Sequence, residues 1–231
     1  MEETFYCLLC KKPMSPSSKI ITCSFCGGRE KADYVCPDGH YICEDCRVAS
    51  PDRLVKKVCE ATQDTDPMKT AILLMRHPAI QIHGPEHHYL VSSVLLAALR
   101  NLGEFKIDDS AFDRAISRGK RILFGSCGFW GVCGSAAGVG MAVSIATNAT
   151  MMSDKERSLS MQATSEALVE IAKIGGPRCC KASTFRAIET AARFFEKKFG
   201  IKFSSLENPR PCYFKVPNEK ECLGKRCPYS G

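Results

Sequence analysis

Seven cysteines and one histidine stand in the first 46 residues at the spacing of metal ligands, and they constrain the fold more than any other feature. The donors are Cys7-Leu-Leu-Cys10, Cys23-Ser-Phe-Cys26, and Cys36, His40, Cys43 and Cys46 within Cys-Pro-Asp-Gly-His-Tyr-Ile-Cys-Glu-Asp-Cys. Two thiolates two residues apart can grip one ion from a single tight turn. Eight such donors make two closed tetrahedral sites of the kind zinc prefers. A module this small cannot fold on its own core, so the ions must hold it. Two pairings fit the spacing. In a cross-brace, Cys7, Cys10, Cys36 and His40 share one ion and Cys23, Cys26, Cys43 and Cys46 the other; sequential pairing along the chain is the alternative. Closed sites of this type are structural, which directs the search for reactive chemistry elsewhere.

The chain has 15 cysteines in 231 residues. In a secreted protein that number would point to disulfides. The opening Met-Glu-Glu-Thr-Phe-Tyr-Cys has neither the basic nor the apolar segment of a signal peptide. Metal-bound and free thiols in a reducing cytoplasm are therefore expected. The net charge of +7 is unevenly placed: residues 1–60 hold nine Lys+Arg and nine Asp+Glu, the remainder 23 against 16. A zinc module that binds nucleic acid brings its own basic face, and this neutral one argues against such a partner. The excess cations are better explained as partial balance for metal–thiolate charge.

The pattern predicts a mainly α protein: a double zinc-binding module over 1–49, then a helical Cys/His-rich domain over 50–231 with an irregular Cys-containing tail from about 201. Helix starts are signalled at Ser50-Pro51, Asp66-Pro67, Gly84-Pro85 and Asp108-Asp109, and stops at Gly103, Gly175-Gly176-Pro177 and Gly200. Residues 122–153 carry no charged side chain, and Trp130 to Thr150 is long enough to span a bilayer. Its many glycines, Cys133 and Asn148 favour instead a central Gly/Ala-rich helix buried all round by protein, where Gly134, Ala137, Gly138 and Met141 let neighbours approach. No membrane association is expected.

Three segments of the helical region look specialised. In Ile-His83-Gly-Pro-Glu86-His87-His88-Tyr, three histidines and a carboxylate crowd a helix start. His87 falls on the same face as Leu90, Val91 and Val94, where a neutral ring could act as acid, base or ligand. Glu86 would orient it, and His83 and His88 would face substrate. In Gly125-Ser-Cys127-Gly-Phe-Trp-Gly-Val-Cys133-Gly, two thiols flank a glycine-rich turn with free N–H groups. In Gly-Gly-Pro-Arg178-Cys179-Cys180-Lys181, vicinal cysteines precede a helix between two cations, a setting expected to lower one thiol's pKa. Arg178 would hold an anionic substrate group. The tail adds Cys212 and Cys222-Leu-Gly-Lys-Arg-Cys227-Pro, able to supply further ligands.

Together these motifs resemble a cysteine-rich family of anaerobic bacteria and methanogenic archaea carried as a domain of unknown function, some members of which are fused or adjacent to S-adenosylmethionine-dependent methyltransferases. The resemblance implies a setting of anaerobic metal, sulfur or methyl chemistry and a methyltransferase as one class of partner, but no particular reaction. No Gly-x-Gly loop on a βα unit is present, so the chain is not itself a Rossmann methyltransferase. The expectation is a cytoplasmic metalloprotein with two zincs and a second thiolate site, iron–sulfur in character, drawn from Cys127, Cys133, Cys179, Cys180, Cys222 and Cys227. His87, Glu86, Cys179 and Cys180 would carry redox or sulfur-transfer chemistry. The rival expectations are a non-catalytic adaptor that docks through the zinc module and a nucleic-acid-modifying protein; a homo-oligomer is compatible with either.

Overall fold

The computed structural model of the protein describes residues 4–204 and 212–230. Short antiparallel pairs, not helices, frame the N-terminal cysteines. Strand β1 (Ser15–Pro16) pairs with β4 (Tyr34–Val35), and β2 (Ile20–Thr22) with β3 (Arg29–Lys31). A single helical turn, α1 (Glu44–Arg47), follows.

Eight further α-helices succeed it among the described residues: α2 (Pro51–Ala61), α3 (Pro67–Met75), α4 (Glu86–Leu102), α5 (Ser110–Lys120), α6 (Ser126–Phe129), α7 (Gly134–Ala146), α8 (Lys155–Ala172) and α9 (Cys180–Phe199). Their ends follow local chemistry. The Asp66 carboxylate accepts from the backbone N–H groups of Met68 and Lys69 at the start of α3. Asp108 accepts from Ala111 at the start of α5. Gly103 (φ +74°) and Gly200 (φ +72°) end α4 and α9 in the left-handed conformation that a side chain would disfavour.

Helix α4 is the hub. It is buried continuously from Glu86 to Leu99 and packs against α2, α3, α5, α7 and α9. Close approach to α7 depends on two glycines: a Cβ at Gly134 would lie 2.1 Å from His88 Cδ2, and one at Gly138 would lie 2.8 Å from the His88 carbonyl oxygen. The uncharged segment is not one long helix. It forms the exposed α6 turn and then α7, whose 13 residues rise only about 20 Å. Ala137, Met141 and Ser144 on α7 remain partly exposed. No helix among the described residues is long and apolar enough to cross a membrane.

After α9 the described tail makes two 3₁₀ turns, Glu219–Glu221 and Gly224–Arg226, and folds back over the first half of α9. Phe214 and Tyr229 both pack on Phe185, and the Tyr229 hydroxyl donates to Glu189 at 2.9 Å. Residues 205–211, part of the tail expected to be irregular, lie outside the described residues.

Candidate metal centres

The N-terminal donors fall into two interleaved sets, the cross-brace of the two pairings. Cys7, Cys10, Cys36 and His40 form one and Cys23, Cys26, Cys43 and Cys46 the other, with all donor atoms of a set within 4.8 Å of one another. In the first set Cys10 Sγ lies 3.3 Å from Cys36 Sγ, and His40 turns Nδ1 to within 3.7 Å of the Cys7 and Cys36 sulfurs. In the second, Cys26 and Cys43 sulfurs are 3.6 Å apart. Four thiolates bound at about 2.3 Å to one tetrahedral ion sit about 3.8 Å apart, so both sets have the dimensions of a single-ion site.

Tight turns build them. Cys7 accepts from Lys11 N–H and Cys23 from Gly27 N–H, and the turns close with Lys11 (φ +62°) and Gly27 (φ +70°) in the left-handed region. The backbone N–H groups of Phe25 and Cys43 donate to Cys23 Sγ at 3.4 Å. Hydrogen bonds, the Cys46 thiol's first, bring the Cys23 pKa down to about 4, while burial pushes Cys43 up to about 11 and the hydrogen bond to Cys23 pushes Cys46 upward too. Such crowded thiols ionise together only when a cation joins them.

A second gathering of thiols lies in the helical region. Cys179, Cys212, Cys222 and Cys227 line one cavity, closed by Ala182, Phe185, Phe214, Leu223 and Tyr229. Cys179 sits at the N-terminus of α9, and the other three come from the returning tail. Backbone N–H groups point at the sulfurs: Phe214 to Cys212 and Gly224 to Cys222, each at 3.4 Å. Asn218 Nδ2 lies 3.7 Å from Cys179 Sγ. Of the six thiols expected at a helical-domain site, the fold brings Cys179, Cys222 and Cys227 together. Cys127, Cys133 and Cys180 do not line this cavity. Cys127 is exposed on α6, between Ser126 and Gly128 and near the exposed rings of Phe129 and Trp130.

The expected lowering of a vicinal thiol's pKa is reversed. Burial pushes both thiols up, Cys180 to about 11; it outweighs the N–H groups of Ala182 and Lys181 at Cys179 and that of Gly84 at Cys180. Arg178 stays exposed and stacks over Phe124.

The histidine segment is tied to this region through its loop. Cys180 N–H donates to His83 Nδ1 at 3.4 Å, leaving Nε2–H to donate to Asn218 Oδ1 at 2.8 Å. Glu221 is also 3.3 Å from His83 Nε2. Buried Glu86 accepts from Gln81 N–H at 2.6 Å, so it braces the loop that carries His83 and not the His87 ring. His87 is wholly buried; its Nδ1–H donates to the Gly84 carbonyl at 3.1 Å, and Nε2 has no partner. Burial first, then nearby Lys181, holds its pKa well below the usual histidine value. His88 is buried against Gly134, and burial lowers its pKa as well.

Two residues carry more in the structure than the sequence assigned them. Cys212, named among the tail thiols but not in the six-thiol set, joins Cys179, Cys222 and Cys227 only through the return of the tail. Lys181 read as a cation flanking two cysteines, yet it is wholly buried. Its Nζ lies 3.4 Å from the Met75 carbonyl oxygen and 4.8 Å from the centroid of the Phe214 ring. Burial lowers its pKa to about 8.

A family model, described as a family of unknown function (DUF5714), matches residues 55–230. The chain belongs to this family. The match takes in the histidine segment, the vicinal cysteines and the tail thiols, and it begins beyond the last N-terminal ligand at Cys46. No curated protein and no solved structure matches the chain.

Proposed function

We propose that this is a cytoplasmic metalloprotein in two parts, with two structural zincs over residues 1–49 and a redox-active iron–sulfur centre in the helical domain over 50–231. The centre would pass single electrons from an external reduced carrier to an acceptor, in anaerobic metabolism of sulfur, methyl groups or metallocofactors. The observation that carries this reading is the convergence of four thiols on one enclosed cavity. Iron–sulfur clusters need such a set, backed by N–H donors and screened from water. A donor set of four cysteines suits iron–sulfide chemistry better than hydrolysis, which would call for an open position on the metal.

Of the residues expected to act on substrate, His83 is the one linked by hydrogen bonds to this region, through Asn218. A methyltransferase as acceptor or neighbour follows from the resemblance to anaerobic and methanogen proteins and belongs to the same proposal. A second reading, an adaptor that docks through the zinc module, draws support from a cleft beside the first ligand set, lined by Phe5, Tyr6, Tyr34 and Tyr41 with Glu30 and Arg47. One experiment separates the two. After anaerobic purification, the redox reading requires iron and acid-labile sulfide beside zinc, with absorbance near roughly 400 nm. Zinc alone would leave the adaptor.

A further inference from the structure

The cavity's geometry narrows the kind of centre it can hold, given the reading above that the helical domain holds an iron–sulfur centre. In the N-terminal sets, sulfurs approach to 3.3 and 3.6 Å and all donors lie within 4.8 Å, as one ion requires. Cys179, Cys212, Cys222 and Cys227 do not form a third such set. No three of their sulfurs all lie within 4.8 Å of one another. A mononuclear site would need all four sulfurs close, so a single ion does not fit this set. Four thiols lining one cavity without single-ion spacing instead match a cube of iron and sulfide, which presents one iron to each cysteine at its corners.

Charge supports the same occupant. Lys181 is wholly buried, and the charge of buried Glu86, followed by those of Cys180, Cys179 and Cys212, acts on it. Its ammonium rests over Phe214, a wall of the cavity, with Cys179 two residues before it. A buried cation needs counter-charge, and beside Glu86 a four-thiolate cluster, anionic in each of its usual states, supplies more of it on the cavity side. Hydrogen-bond donors complete the surroundings: Phe214 N–H, Gly224 N–H and the Asn218 amide are aimed at three of the sulfurs.

We propose that Cys179, Cys212, Cys222 and Cys227 are the four ligands of one [4Fe–4S] cluster, with Lys181 as its buried counter-charge and Asn218 linking it to His83. Full ligation by cysteine leaves no iron open to substrate, so the cluster carries electrons and does not bind the molecule transformed. Cys127, Cys133 and Cys180 are not ligands.

The test is anaerobic reconstitution of the full chain with ferrous iron and sulfide, followed by iron, sulfide and zinc analysis and electron paramagnetic resonance of the reduced protein. The wild-type chain is expected to hold about four iron and four sulfide. Cys212→Ser and Cys227→Ser should lose most of that iron or convert to a three-iron signal, with zinc content and helical circular dichroism unchanged, while Cys133→Ser keeps the full complement. If Cys212→Ser does not fold, Cys222→Ser reads the same set. A wild-type chain that takes up no iron overturns the iron–sulfur reading itself. About two iron per chain, or a full four retained in Cys212→Ser but lost in Cys133→Ser, overturns the ligand set and cluster type while the broader reading stands.

Discussion

The N-terminal module and the helical region both gather cysteines, but they are held together by opposite means. In the module the buried residues are largely the ligands themselves, Cys7, Cys23, Cys36, Cys43 and Cys46, with Leu9, Phe25 and Ala32 beside them. There the donor sets are the core. In the helical region an apolar interior built on α4 exists first, and the four tail-side thiols line a cavity on top of it. Thiols that build structure crowd to single-ion spacing. Thiols that a packed frame positions line a cavity without single-ion spacing.

The largest effect should come from removing a module ligand. Cys36 is buried with its sulfur 3.3 Å from Cys10 Sγ. Structural zinc in small modules contributes an apparent 10–16 kcal/mol, roughly, to folding. Cys36→Ser is expected to lower zinc to about one per chain or none and to open residues 1–46 to trypsin. The helices should survive, because their interior is built on α4; the module's buried residues join that core, and further links connect the two regions. They include the Phe25–His77 ring contact at 5.1 Å and an exposed Lys57–Asp45 pair, and exposed pairs contribute about 0–1 kcal/mol. Loss of the helical circular dichroism signal together with the zinc would break the comparison and make the two regions one cooperative unit.

A smaller effect tests the packed side. At Gly134 a Cβ would meet the buried His88 ring at 2.1–2.5 Å, and no exposed space is available for the ring to move into. Gly134→Val should destabilise the helical region by about 1–3 kcal/mol through overpacking. For a chain of this size that lowers Tm by roughly 2–4 °C per kcal/mol. Thermal denaturation followed at 222 nm measures it, and zinc content should be unaffected. An unchanged Tm would mean that α4 and α7 are free to separate at this point.

Much of this arrangement was legible in the sequence where local chemistry decides the outcome. The Cys-x2-Cys pairs and Cys36-x3-His40 announced two tetrahedral sets, and Asp66, Gly103 and Gly200 marked helix ends where the structure has them. What stayed hidden depends on the return of distant chain. Cys212 is 33 positions from Cys179, and nothing in its own neighbourhood says that the tail crosses α9. The vicinal thiols show the same limit in electrostatic form. A helix start flanked by Arg178 and Lys181 argues for a lowered pKa, but Phe185 and the tail bury the site and reverse the sign. The 122–153 segment misled for a third reason: absence of charge signals burial or a turn of small residues equally well, and here it is both.

Cys127 offers the smallest effect and the sharpest check on the contrast. By sequence it stood in a glycine-rich turn beside Cys133, a plausible ligand position. In the fold it is exposed on the four-residue α6, away from the thiol-lined cavity. An exposed side chain outside any packed or bonded network changes stability by no more than about 0.5 kcal/mol when replaced by one of similar size. Cys127→Ser is therefore expected to leave the urea midpoint, the zinc content and the reconstituted iron content at wild-type values. Loss of iron in this variant would require α6 to swing inward and lend its thiol to the centre. A ligand would then come from a mobile turn, and the distinction between thiols that build a module and thiols set by a rigid frame would no longer hold.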